Sequence, residues 1–222
     1  MSQRSSVFAV LLLSLVGCGG AATETSTPVV AGDGAETPIE AVTDLVTAMG
    51  EPDFDDASRL AMPGHAALAS LAEGATFDEV ATALREGDSE IAANFWTGFA
   101  QETTNLLGGA IDITDGQSFS EEGNDFQTVV ITPESGTARE VIVRDSGGYR
   151  VDLFASFGAS LAQKLSAQVE RLLVTQTDDA RLIMENLRGI VPSLLVAAKR
   201  PGVTGGASQE LLSLVEVITR AG

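Results

Sequence analysis

Residues 126 to 154, FQTVVITPESGTAREVIVRDSGGYRVDLF, decide the fold because they read as three consecutive antiparallel strands. Residues 140 to 144 and residues 149 to 154 alternate with a period of two, which is typical of half-buried strands. The segments between the strands, 133 to 136 and 145 to 148, combine Pro, Asp, Ser and Gly as tight turns require. Such a meander has one apolar face, so we expect the helical segments on either side of it to cover that face.

The charge of the chain is concentrated in one part of it. The chain has 222 residues, enough for one sizeable domain with or without an appendage, and a formal net charge of −18. Residues 18 to 136 hold 22 acidic residues against Arg59 and Arg85, whereas residues 137 to 222 hold 9 acidic and 10 basic residues. Nucleic acid phosphates and anionic lipid headgroups repel such a surface. We therefore expect no nucleic acid partner and interpret the charge as that of a soluble surface outside the cytoplasm.

The N-terminus has the composition of a secretory signal. Arg4 supplies a positive charge, and residues 7 to 16 are apolar except for Ser14. This run has about half of the length that a membrane-spanning helix needs. Cys18 is the only cysteine, so the sequence excludes a disulfide within the chain.

The quartet LVGC, residues 15 to 18, resembles the lipobox of bacterial lipoproteins. The resemblance implies that residues 1 to 17 are a signal peptide and that Cys18 is the lipid attachment site. It also implies an anchor in the bacterial cell membrane or outer membrane, with the protein facing the periplasm or the exterior. The alternative is an ordinary signal peptide whose cysteine is incidental. Residues 18 to 36, rich in Gly, Ala, Thr and acids, are predicted to be a flexible acidic tether without fixed structure, and the folded part is expected to begin at Thr37.

Several helices are predicted before the strands. Thr37 and Thr76 each open a capping box, and Asp53 is a further N-cap signal. Residues 88 to 90 are predicted to cap a longer helix with an aromatic stripe, which we interpret as core rather than as a ligand cage. The stripe contains Ile91, Phe95, Trp96 and Phe99. A first strand is predicted at residues 110 to 114.

Two segments resemble a known family. TPIEAVTDLVTAMGEPDFDDASRLAMPG, residues 37 to 64, and GGYRVDL, residues 147 to 153, are similar to the beginning and the last strand of bacterial lipoproteins with a nuclear transport factor 2-like domain. The resemblance implies an α+β domain over residues 37 to 155, in which N-terminal helices precede an antiparallel meander sheet curved into a cone. The chain departs from the pattern in the longer helix that ends at Leu107 and in a C-terminal helical extension, residues 156 to 222.

The extension contains three helix signals. The first helix carries a leucine stripe, the second begins at Thr177 with a kink expected at Pro192, and the third is expected to be capped by Ser208. Apolar stripes of this length must be buried. They pack within the chain, or they form the surface of a homodimer or a protein partner; the sequence leaves both open.

No metal or cofactor site is predicted. An EF-hand loop that begins at Asp53 would need Gly and Glu where the chain has Ser58 and Gly64, so we interpret the acids at residues 51 to 56 as capping residues. A weak surface cation site is left open for the acids at residues 112 to 125.

No catalytic residue is predicted. Domains of the resembled type include isomerases and dehydratases, whose carboxylate, histidine and tyrosine groups converge in an apolar cone. We interpret His65 as a surface or capping histidine and Tyr149 as a cross-strand packing residue. Asp152 either faces a cavity or is neutralised by a basic residue across its hairpin.

The sequence therefore predicts a lipid-anchored envelope protein that acts as a non-catalytic interaction or structural module. The alternative is a carrier of a small apolar ligand in a cavity between sheet and helices, and an isomerase or hydratase is a third interpretation. The space beneath Val141, Val143, Val151 and Leu153 distinguishes these classes, because a cavity and a filled core support different functions.

Overall fold

A computed structural model describes residues 34–51, 53–87, 93–107, 111–134 and 136–220, and for residues 103–107 it describes the backbone only. All of these residues belong to one compact unit, Gly32–Gly222. The strands form one antiparallel sheet in the order β1-β2-β3-β4, which confirms the α+β class. In chain order the described elements are α1 (Pro38–Gly50), α2 (Phe54–Leu60), α3 (His65–Ser70), α4 (Phe77–Glu86), α5 (Ala93–Leu107), β1 (Ile111–Glu121), β2 (Asn124–Pro133), β3 (Arg139–Asp145), β4 (Tyr149–Val151), α6 (Leu153–Val174), α7 (Asp178–Gly189), α8 (Val191–Lys199) and α9 (Gly205–Arg220).

The predicted meander is present as β2, β3 and β4, and the turn predicted at residues 145 to 148 lies where expected. The connection from β2 to β3 runs over residues 134 to 138, of which Ser135 lies outside the described residues. Val129 pairs with Val141, and Val143 pairs with Val151. β1 is longer than the strand predicted at residues 110 to 114 because a two-residue turn, Glu122-Gly123, returns the chain directly into β2. Both turn residues have positive φ, 48° and 74°, which is the backbone that such hairpins favour.

The strand predicted to continue through Phe154 ends earlier, at Val151. Asp152 is the N-cap of α6 instead, and its side chain accepts a hydrogen bond of 2.8 Å from the backbone N–H of Ala155. Leu153 is therefore the first residue of a helix of 22 residues. The alternation of residues 149 to 154 is compatible with one strand over all six residues. It is equally compatible with the observed arrangement, in which a short strand is followed directly by a capped helix.

Because β4 is short, part of the edge of β3, which we call the margin of β3, has no strand partner. Other groups form hydrogen bonds with the backbone N–H and C=O groups there. The backbone N–H of Asp152 donates to the carbonyl of Ile142 at 2.8 Å, and Ser156 Oγ accepts from the N–H of Ile142, also at 2.8 Å. Arg200, just after α8, donates to the carbonyl of Glu140. Arg200 also donates to the carbonyls of Ala155 and Ser156, so it joins β3 to the first turn of α6. This margin is closed by groups of the same chain.

The predicted helix starts before the sheet are confirmed. Thr37 and Thr76 form complete capping boxes, and Asp53 caps α2. The prediction of no fixed structure up to residue 36 is wrong at its end, because Ala35 exchanges two backbone hydrogen bonds of 2.8 Å with Tyr149. The rest of the predicted signal and tether, and the capping signal at residues 88 to 90, lie outside the described residues.

The C-terminal segment forms four helices rather than three. α7 ends before Ile190, and α8 begins after it. Pro192 lies in the first turn of α8, where a proline costs little because the N–H groups of that turn have no partner within the helix. The predicted kink in a continuous helix is therefore wrong. The last helix begins at Gly205, three residues before the predicted cap. Ser208 lies inside it, and its hydroxyl donates to the carbonyl of Ala198 at 2.8 Å.

One main hydrophobic core lies between one face of the sheet and the helices, and α6, α7, α8 and α9 contribute to it. The space beneath the meander is filled: Val143, Val151 and Leu153 are 0% exposed and Val141 is 5% exposed. The opposite face of the sheet is also partly buried, because a second, smaller hydrophobic cluster covers β3 there. Its members are Phe126, Ile142, Ala155 and Val196. The sheet therefore has buried side chains on both faces, where the sequence predicted one.

Candidate functional site

Four polar side chains meet at the junction of β3, α3, α6 and α8. We call His65, Arg144, Asp152 and Ser193 the buried polar cluster. Asp152 and Ser193 are 0% exposed and His65 is 4% exposed, while Arg144 is half-buried. Buried polar groups need partners to offset the loss of water, so the contacts within the cluster determine what it does.

The carboxylate of Asp152 is the centre of the cluster. Its Oδ1 accepts from the N–H of Ala155 and lies 3.5 Å from Nδ1 of His65. Its Oδ2 accepts from Ser193 Oγ at 2.6 Å and lies 3.7 Å from Nη1 of Arg144. Of the two alternatives left open for Asp152, neutralisation by a basic residue across the hairpin is the one observed. Both carboxylate oxygens are occupied by groups of the chain.

His65 is buried and is not the N-cap of its helix, so the interpretation of a surface or capping histidine is wrong. It is the first residue of α3, after Gly64, which has the left-handed backbone (φ 75°). Its ring packs edge-on against Phe154 with a centroid distance of 5.0 Å. Burial lowers the pKa of His65, Asp152 opposes this effect and Arg144 adds to it. The imidazole is therefore neutral at pH 7, and its Nδ1 has no hydrogen-bond partner among the described residues.

Arg144 reaches the cluster from β3. Its Nη2 donates to Asn124 Oδ1 at 2.7 Å, and its guanidinium lies 5.0 Å from the ring centre of Phe126. These two contacts hold the cation between the start of β2 and the Asp152 carboxylate. The orientation is that of a group fixed for packing and charge balance.

The order of groups in the cluster differs from that of a hydrolytic triad. In a triad the histidine lies between the acid and the nucleophile and takes the proton of the nucleophile. Here the carboxylate lies between Ser193 and His65, and the Ser193 hydroxyl donates directly to it. His65, Asp152 and Ser193 line none of the described grooves. The cluster is suited to joining four elements rather than to reacting with a substrate.

Sequence reasoning found His65 and Asp152 but not their proximity, and it did not find Ser193 or Arg144. His65 and Asp152 are far apart along the chain, and α3 was not predicted at all. A cap signal at Asp152 was available, because an Asp before a run of helix formers is typical of an N-cap. Tyr149, the third candidate, is half-buried and pairs with Asp145 and Ala35, and it lines the same groove of about 280 Å³ as Arg144.

A groove of about 280 Å³ includes Arg144 of the cluster, and the other accessible concavities lie elsewhere. A groove of about 290 Å³ between α5, α6 and the start of β3 is called the aromatic groove; it is lined by Glu73, Phe95, Gly98, Phe99, Glu102, Arg139, Leu153, Ser156, Phe157, Ala159, Ser160 and Leu161. A second groove of about 400 Å³ shares Arg139, Ser156 and Phe157 with it. A third, of about 530 Å³, lies on the outer face of the sheet beside Lys199 and Arg200.

Aromatic side chains in mutual contact form one wall of the aromatic groove. The rings of Phe99 and Phe157 are 5.0 Å apart and edge-on, and those of Phe95 and Phe99 are 5.5 Å apart and stacked. Trp96 lies behind them, fully buried, with Nε1 donating to Ser58 Oγ at 2.8 Å. The predicted aromatic stripe is thus core on one side, but Phe99 also forms the wall of a groove.

The described residues contain neither a metal-binding cluster nor a membrane-spanning helix. Within the described ranges, no group of three or more His, Cys, Asp or Glu side chains is placed to hold a metal ion. None of the helices in those ranges combines the length and the apolarity that crossing a membrane requires. Cys18 lies outside the described residues.

Comparison with known proteins found no matching family model, no matching curated protein and no matching solved structure.

Proposed function

We propose that this chain is a lipid-anchored protein of the bacterial envelope whose α+β domain acts by binding and not by catalysis. The filled space beneath the meander argues against a carrier with a cavity between sheet and helices, so within the binding class we favour a domain that holds a small apolar ligand in the open aromatic groove. The observation that carries the proposal is the separation of two sites: His65, Asp152 and Ser193 are buried and line none of the described grooves, while the aromatic groove is open.

The burial of the C-terminal stripes supports a ligand over a protein partner. Most of the large apolar side chains on α6, α7, α8 and α9 point into the chain's own core. Leu161, Leu165, Leu187 and Leu194 are 8% exposed or less. A surface made for a partner or a second copy would leave more of that apolar area uncovered.

A homodimer or protein partner is the second candidate, and one observation favours it. Leu173 and Val174, at the end of α6, are 45% and 81% exposed. Substitution of both by Glu tests this candidate with light scattering after size exclusion. A dimer that becomes a monomer supports it, and a wild-type protein that is monomeric at all concentrations removes the homodimer.

The lipid anchor rests on the lipobox resemblance of residues 15 to 18 and on the length of the preceding apolar run. A thioether-linked diacylglyceryl group buries many methylenes at about 0.8 kcal/mol each, which is enough for stable membrane attachment. Metabolic labelling with an alkyne fatty acid tests it. We expect label on the wild-type chain and none on Cys18→Ala; equal labelling of the two would remove the anchor.

We also propose that the sheet is of the nuclear transport factor 2-like type. Helices that precede a four-stranded antiparallel meander, and a β1 whose register shifts between Asp115 and Ser118, support this assignment. A register shift bends a strand, and bent strands curve a sheet. An experimental structure tests it: a flat sheet would contradict the cone.

Native mass spectrometry of the chain from Gly19 to Gly222 tests the binding function, because this chain contains the whole compact unit. We expect a lipophilic molecule to be retained from the bacterial host or acquired from a panel of apolar compounds. A protein that never retains or acquires one would contradict the carrier function.

A further inference from the structure

Arg139 places a positive charge at the end of an apolar row. It is the first residue of β3, and it shares the core-facing side of that strand with Val141 and Val143, since residues two apart on a strand point the same way. Val141 and Val143 are buried, but Arg139 is exposed. Its side chain lines both the aromatic groove and the neighbouring groove of about 400 Å³.

The guanidinium of Arg139 is available to a ligand. It forms no hydrogen bond or ion pair with any residue that the structure describes. Other cations on the same side of the molecule are occupied: Lys164 pairs with Glu73 at 2.8 Å, and Arg200 donates to backbone carbonyls. Arg139 is also close enough to the phenylalanine walls to line the same space as Phe157.

The charges around the groove limit a ligand to one negative charge, because Arg139 is the one cation among the described lining residues that can match it. Of the two acids that line the aromatic groove, Glu73 is neutralised by Lys164, whereas Glu102 is exposed and has no such partner in the described chain. A ligand with two or more negative charges would be repelled by Glu102 and by the chain's net charge of −18. The guanidinium of Arg139 can donate two parallel hydrogen bonds to one carboxylate of a ligand.

We propose that the aromatic groove binds a small molecule with an apolar body and a single carboxylate, whose carboxylate lies against Arg139. The inference rests on the proposed function and adds the ligand class and the site. A volume of about 290 Å³ suits a short acyl chain or one aromatic unit, and the adjoining groove gives room for a longer body past Arg139.

Calorimetric titration with octanoate and with 1-octanol tests the carboxylate contact, because the two probes share an apolar body and differ in charge. We expect octanoate to bind the wild-type chain more tightly than 1-octanol. Arg139→Gln should weaken octanoate about tenfold and change 1-octanol by less than about twofold, since a charge-assisted contact is lost. Glu102→Gln should tighten octanoate, because it removes a repelling charge.

Gly98 allows the groove itself to be blocked. Gly98 lines the groove, and a Cβ added there would meet no atom within 4 Å, so a substituted side chain begins in open space at the groove. Gly98→Leu should weaken both probes at least about tenfold. Circular dichroism verifies that each variant is folded.

Two matched controls separate the site from general effects. Arg181→Gln removes the same charge from an exposed ion pair on α7, and Gly206→Leu adds the same side chain at an open helical glycine on α9. Both should leave the affinity for octanoate unchanged.

The outcomes separate this inference from the proposed function. If the wild-type chain holds an apolar ligand and neither Arg139→Gln nor Gly98→Leu changes its affinity, the groove assignment is wrong and the binding function stands. If octanoate and 1-octanol do not bind at all, or bind equally, the carboxylate assignment is overturned. The native mass spectrum then decides the binding function alone.

Discussion

Oδ1 of Asp152 lies 3.5 Å from Nδ1 of His65, and both side chains are almost completely excluded from solvent. The contact joins the start of α3 to the N-cap of α6. It places the one histidine of the chain beside a carboxylate whose other oxygen is held by Ser193.

The burial of His65, which outweighs the opposing effect of Asp152 on its pKa, predicts an acid-sensitive stability. The unfolded chain protonates His65 as the pH falls through about 6.5. The folded chain resists protonation because burial lowers the pKa of His65. The unfolded state therefore binds more protons below that pH, and the free energy of unfolding should fall as the pH decreases, by up to about 1.4 kcal/mol per pH unit. Urea unfolding between pH 7.5 and 5.5 measures it.

His65→Gln is the comparison for the pH prediction. Since carboxylates titrate near pH 4, the single histidine should dominate this window. The variant should lose most of the dependence on pH. Equal slopes for the two proteins would show that His65 is not the sensor.

Asp152→Ala should destabilise the protein by about 3 to 5 kcal/mol, because it removes a cap and leaves Arg144 without its buried counter-charge. Asp53→Ala is a matched control, since Asp53 also caps a helix but is exposed. Its loss should cost about 1 kcal/mol. Chemical denaturation, followed by the fluorescence of the buried Trp96, gives both values. Similar costs for the two variants would contradict the importance of the cluster.

Arg200→Met should cost about 2 to 3 kcal/mol, because the carbonyls of Glu140, Ala155 and Ser156 lose a charged donor. The neighbouring Lys199→Met removes a surface ion pair with Glu121 and should cost about 1 kcal/mol or less. Thermal unfolding of the two variants compares them. A larger loss from Lys199→Met would refute the role given to Arg200.

Two glycines should respond in opposite directions to alanine. Gly98→Ala should stabilise the protein by about 0.5 to 1 kcal/mol, since the position is helical and open. Gly116→Ala should destabilise it by about 1 to 3 kcal/mol, because its Cβ would lie 2.8 Å from the carbonyl oxygen of Thr128. Urea midpoints measure both changes. The same sign for the two variants would contradict the packing described for β1.

The sequence predicted the local features of the fold well because they depend on neighbouring residues. The capping boxes at Thr37 and Thr76 and the turn at residues 145 to 148 are determined within four residues. β1 was too short in the prediction because its Gly, Ser and Asp residues have low strand propensity. Pairing with β2 overrides that propensity, and this pairing is not local.

The buried polar cluster was not predictable from spacing. Its members come from α3, β3, the β4–α6 junction and α8, and only the packing of these elements brings them together. The sequence does mark Arg139, because this cation precedes Val141 and Val143 at the same spacing of two residues. This spacing identifies an unusual position. The groove beside it is formed by α5 and α6, and the pattern of one strand does not predict how those helices pack against it.

The occupied margin of β3 also bears on self-association. Ordered fibrils grow when a strand from another molecule adds to unpaired N–H and C=O groups. Asp152, Ser156 and Arg200 already bind those groups at Ile142 and Glu140, so templated growth is blocked on that side. Only the β1 side of the described sheet remains for it, and there Asp112 and Asp115 would bring like charges together in a growing stack.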